Sequence, residues 1–132
     1  MNEINTPRRD GRYASHPVKA ATRIPAGVLV AVDADGYAVP ASDTEGLTVV
    51  GRAEGTVNNP GVSGAERVTV CRECVKYENS ATNPITAAGK PAYVEDEGTV
   101  AADTEKKIPA GVVVELDADG GVWIDPATAP LL

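Results

Sequence analysis

Phenylalanine is absent from this 132-residue chain, and tryptophan, methionine and histidine occur once each. A lone His16 cannot supply the histidine cluster of a transition-metal site, and it has no serine or cysteine partner in a nucleophile motif. Two cysteines, Cys71 and Cys74, make no disulfide framework and suit a chain made in the cytosol. No apolar run approaches the roughly 18 residues of a membrane-spanning helix; the longest, residues 28–32, has five. Neither a Walker pattern nor G-x-G-x-x-G occurs. The first thirteen residues are polar and lack the apolar segment of a secretory signal, so the expected place of synthesis is the cytoplasm.

What is abundant is valine, with eighteen residues, set among thirteen glycines and ten prolines. β-Branched side chains suit pleated strands better than helices, and glycine and proline punctuate between them. At this length the expectation is one domain. Its predicted class is all-β, a small sandwich or barrel of short strands and tight turns.

The net charge of −7 is unevenly distributed. Residues 1–23 hold five basic side chains (Arg8, Arg9, Arg12, Lys19 and Arg23) against Glu3 and Asp10, giving +3. The remainder holds seven basic against seventeen acidic, giving −10. A body of that sign does not suit the phosphate backbone of nucleic acid. The division predicts an extended basic arm over residues 1–15, a β domain over 16–126 and a short tail over 127–132.

A thirteen-residue string occurs twice. Residues 24–36, IPAGVLVAVDADG, return as residues 108–120, IPAGVVVELDADG, with ten identities at an offset of 84. Each copy predicts a hairpin: Pro-Ala-Gly interrupts the chain, an apolar strand follows, and Asp-Ala-Asp-Gly supplies the turn. The return strands are expected at residues 37–39 and 122–124. Further strands are expected at 47–53, at 67–77 with an irregularity at Arg72-Glu73, and as a hairpin at 92–94 and 99–100. Residues 58–64 and 79–90 read as loops.

Chemistry-bearing candidates are few. Cys71-Arg72-Glu73-Cys74 lacks the further ligands of a zinc site and the βαβ context of a redox pair, so the two cysteines read as small strand residues. The Asp-Ala-Asp-Gly turns resemble the start of a calcium loop, but Gly36 and Gly120 come too early for its ligand spacing. Glu95-Asp96-Glu97 reads as a solvated tip. No catalytic, metal or cofactor-binding residue is expected, and no enzyme. The arginine arm is the segment whose composition asks for a partner, because ordering it costs entropy that only binding returns; the other reading is a frayed tail that keeps the chain soluble.

As an ordered string, the Ile-Pro-Ala-Gly strand, VDADGYAVPA at 32–41, LTVVGRAE at 47–54, NSATNPIT at 79–86, AYVED at 92–96, VELDADG at 114–120 and WID at 123–125 resemble the small capsid cement, or decoration, proteins of tailed bacteriophages and prophages. The likeness spans about residues 16–125. It implies a jelly-roll-like or related β fold and a structural, non-enzymatic role on the outer surface of the virion, stabilising contacts between major capsid proteins. It also implies a homo-oligomer without fixing dimer against trimer; a dimer is the favoured expectation, with a trimer as the other form. The charge and the short apolar runs add the expectation of no binding to nucleic acid or membrane. Contacts with capsid or with other subunits are expected from Arg8, Arg9, Arg12 and Tyr13 in the arm and from Trp123, Leu131 and Leu132, since arginine and aromatic side chains anchor interfaces. The other reading is a small β-sandwich module that binds a ligand or carbohydrate. Five aromatic residues are a meagre supply for stacking on sugars.

Overall fold

The computed structural model describes residues 2–132; Met1, the first residue of the expected arm, lies outside them. The chain is all-β, with 43% of residues in strands and 5% in helix. The strands are β1 (Tyr13–Pro17), β2 (Thr22–Ile24), β3 (Leu29–Val32), β4 (Ala38–Pro40), β5 (Thr48–Ala53), β6 (Val57–Asn59), β7 (Arg67–Cys71), β8 (Val75–Asn79), β9 (Pro91–Asp96), β10 (Thr99–Ala101), β11 (Pro109–Leu116) and β12 (Val122–Asp125), followed by a 3-10 helix over Pro126–Leu131.

They form two units. In the first, β1-β7-β5-β3-β4 is a five-stranded sheet that curls until Val18 bridges Ala38 in parallel, and the β2-β6 ribbon lies beside it. In the second, β10-β8-β12-β11-β9 closes into a barrel. The irregularity expected at Arg72-Glu73 is the crossing between them: β7 ends in the sheet at Cys71 and β8 begins in the barrel at Val75.

Both copies of the repeat form the expected hairpins, one in each unit. Val30 pairs with Pro40 across β3-β4, and Val113 with Ile124 across β11-β12. The turns close identically: the Asp33 amide donates to the Tyr37 carbonyl and the Gly36 amide to Asp33, as Asp117 does to Gly121 and Gly120 to Asp117. The Ile-Pro-Ala-Gly segments diverge. In the first copy Ile24 ends β2 and residues 25–27 turn before β3. In the second, Pro109, Ala110 and Gly111 are part of β11, with a bulge between Pro109 and Gly111.

Two packed clusters hold the units. Val18, Ile24, Val30, Ala38, Ala53, Val68 and Val70 fill the first. The second contains the inward residues of the barrel, among them Val94, Val113, Val122 and Ile124, together with Leu29, Ala31, Ala41 and Val49 from the first unit. Strand β3 therefore sends alternate side chains to different cores. A strand buried on both faces reads as a continuous apolar run, and residues 28–32 do.

The expected arm and tail are both shorter than the sequence suggested. Tyr13, Ala14 and Ser15 belong to β1, where Tyr13 pairs with Cys71 and Ser15 with Thr69, so the arm ends at residue 12. Period-2 alternation is hidden there because β1 buries only part of one side. At the other end, the Asp125 carboxylate caps the Ala127 amide, Pro126 presets the helical φ and Ala129 is buried. The helix packs against β5 and β11, so it spans the two units. Residues 58–59, expected in a loop, close β6. The buried Asn59 amide there donates to the carbonyls of Val18, Lys19 and Val62. The short strands β1, β2 and β6 carry no run long enough to announce them.

Gly111 sits at φ +143°, where a β-carbon would collide with the Asp125 carbonyl. Gly120 sits at φ +91° with open space around it. Gly111→Ala combines collision with strain and should cost about 3 kcal/mol in denaturant unfolding, while Gly120→Ala should cost about 1 kcal/mol. Equal losses would place the constraint in backbone φ alone.

Candidate functional site

Two features are left over once the cores and turns are accounted for: the arm, and an open cleft where the units meet.

The base of the arm is anchored. The Arg72 amide donates to the Arg12 carbonyl (2.8 Å), and its guanidinium to the Gly11 carbonyl (2.8 Å). The Arg12 side chain lies 3.0 Å from Glu73 and within 4.0 Å of Asp10, with its guanidinium 5.9 Å from the Tyr13 ring centroid. The crossing between β7 and β8 thus also fixes the point where the arm leaves the body. Beyond it, Arg8 and Arg9 are exposed. Among the described residues neither has an ion-pair or hydrogen-bond partner.

The cleft, of about 960 Å³, is bounded by β8, the β9-β10 turn and the β11-β12 turn. Hydrogen bonds across the junction shape its floor. The Tyr77 hydroxyl donates to the Gly27 carbonyl (2.9 Å) and the Leu29 amide to Glu97 (2.8 Å), while within the barrel the Glu78 amide donates to Gly98 (3.1 Å). Burial pushes the Tyr77 hydroxyl pKa up, so it stays a donor. Glu78, Asp96, Glu97 and Asp119 line the walls. Lys76 lines them too, but it is held by Asp119 (2.7 Å) and Asp117 (3.3 Å), and it lowers the pKa of both carboxylates. Among the described residues, Glu78, Asp96 and Glu97 have no cation within ion-pair distance.

The expected contact residues therefore fall into two groups. Arg8, Arg9, Tyr13, Leu131 and Leu132 present exposed surface, Leu131 at 83%. Arg12 and Trp123 are engaged within the chain: Trp123 is half-buried, donates from Nε1 to Asp117 (3.3 Å) and lies under the Lys76 ammonium at 5.9 Å. The structure does not gather the seven residues into one patch described by a shared contact. The cleft carboxylates were missed because Glu78 is one acidic residue in an ordinary strand, and because Glu95-Asp96-Glu97 reads as a loop tip. Only Glu95 turns away, accepting from Ser80 (2.6 Å). The signal available was the −10 imbalance of the body.

Cys71 is buried and Cys74 exposed, both free. Burial, with Asp125 and Glu73, pushes the Cys74 thiol pKa up, the opposite of what a redox nucleophile needs. Among the described residues, no group of three or more His, Cys, Asp or Glu side chains is placed to hold a metal. No helix there is long and apolar enough to cross a membrane. Comparison with protein-family models, curated proteins and solved structures returned no match.

His16, on β1 beside the arm, has its pKa lowered by partial burial and then by Arg67 and Arg72. A histidine with a depressed folded pKa contributes stability that is complete above its unfolded pKa, near 6.5, and is lost as pH falls from there through the folded value. Titration of unfolding between pH 7.5 and 5 should show a steeper loss for the native chain than for His16→Gln. Parallel curves would mean that His16 carries none of the acid sensitivity.

Proposed function

We propose that this chain is a structural protein of tailed-phage particles, a cement or decoration protein that binds the outside of the assembled head as a homo-oligomer and braces contacts between major capsid proteins. The observation that carries the reading is the ordered string of motifs over about residues 16–125. A body of two β units with one shared core, bearing a basic arm at a fixed exit point, is compatible with it: a stiff body sets geometry and an arm reaches a neighbour. A ligand that binds the assembled lattice and not the loose subunit stabilises the lattice by mass action. Several weak contacts repeated over an oligomer hold more strongly than any one of them.

The exposed Tyr13, Leu131 and Leu132, with the arm arginines, supply surfaces for the lattice or for another copy. The sugar-binding alternative draws little from the cleft, whose aromatic lining residue, Tyr77, is buried and bonded to Gly27.

Purified particles of a phage that encodes the chain should contain it in regular copy number, at a position open to external protease. Heads stripped of it should rebind the full chain. Deletion of residues 2–9 removes Arg8 and Arg9 while sparing β1, and should weaken rebinding at low salt more than at high salt, where exposed pairs are already screened. Absence from the particle, or a location inside it, would overturn the reading.

A further inference from the structure

We propose that the junction cleft receives the arginine arm of a second copy of this chain. The inference deepens the self-association part of the proposed role and is independent of the capsid part. Carboxylates on a surface do not by themselves make a site. Here the same chain also carries the matching ligand. Among the described residues, Glu78, Asp96 and Glu97 face the cleft without a cation, and Lys76 is already taken by Asp117 and Asp119. Arg8 and Arg9 stand exposed without an anion, whereas Arg12 beside them is held by Glu73. Among the described residues of one copy, these cations and these carboxylates do not meet.

The chemistry and the dimensions agree. A guanidinium pairs a carboxylate through two parallel N–H donors, so consecutive arginines suit walls carrying several carboxylates. The cleft volume of about 960 Å³ lies near the top of the range that holds drug-sized ligands, which leaves room for two arginine side chains. Residues 2–10 form no strand or helix, so no element has to unfold before the arm docks. Arm-to-cleft contact is reciprocal in a two-fold dimer and head-to-tail in a closed ring, and either form leaves Leu131 and Leu132 exposed for another partner.

The test uses the full chain alone, so its failure is separate from a failure to bind heads. Sedimentation at about 50 mM and about 500 mM salt compares the native chain, the arm variant Arg8→Glu/Arg9→Glu and the cleft variant Glu78→Lys/Asp96→Lys, with circular dichroism to check that these exposed substitutions leave the fold intact. The native chain should self-associate at low salt, and its dissociation constant should rise by roughly tenfold or more at high salt. Each variant alone should lose at least about tenfold in affinity. Mixed together, the two variants should regain association, because the acidic arm of one then meets the basic cleft of the other. A native chain that stays monomeric at low salt, variants that associate as well as the native chain, or a mixture no stronger than its components would each overturn the inference. The last outcome would leave the capsid role standing.

Discussion

The rest of the structure depends on one strand being buried on both faces. In β3, Val30 belongs to the core of the sheet, while Leu29 and Ala31 belong to the core of the barrel. Two β units that met only through a linker would move against each other. Here the meeting surface is a packed interior, reinforced by the hydrogen bonds from Leu29 to Glu97 and from Tyr77 to Gly27. The C-terminal 3-10 helix also bridges the two units by packing on β5 and β11. The cleft and the arm exit keep a fixed relation because the units they belong to share that core.

The repeated string shows how far local sequence determines local structure. The Asp-Ala-Asp-Gly turns share their backbone closure and a glycine at positive φ in both copies, but their side chains differ. The Asp33 carboxylate accepts from the Asp35 and Tyr37 amides, whereas Asp117 takes Lys76 and Trp123, and it is Asp119 that accepts from the Gly121 amide. Ile-Pro-Ala-Gly differs: Gly27 lies in a turn and Gly111 in a bulge of β11, pressed against Asp125. What decides between them is the neighbouring strand, which no thirteen-residue window contains. The long valine strands, both hairpins and the break at Arg72-Glu73 were legible for the same local reasons. β1, β2 and β6 were not, because three to five residues of mixed polarity become strands only when β7 or one another is there to pair with them.

The site was legible in one half only. A cluster of arginines in a segment without core pattern marks the arm, although its last three expected residues belong to β1. The cleft walls come from β8, the β9-β10 turn and the β11-β12 turn, which are brought together by barrel closure and not by proximity in sequence. Trp123, expected at a contact, is engaged within the chain for a related reason: cross-strand Lys76 covers its ring, and Asp117, six residues away, takes its N–H.

A clamp transmits force only if its body is one piece, so the shared core is the claim on which the functional reading leans. Calorimetric unfolding tests it directly. One transition, with van't Hoff and calorimetric enthalpies in a ratio near 1, is the result expected of two units that cannot unfold separately. Two resolved transitions, or a ratio well below 1, would mean that the sheet and the barrel are independent and that β3 does not join them.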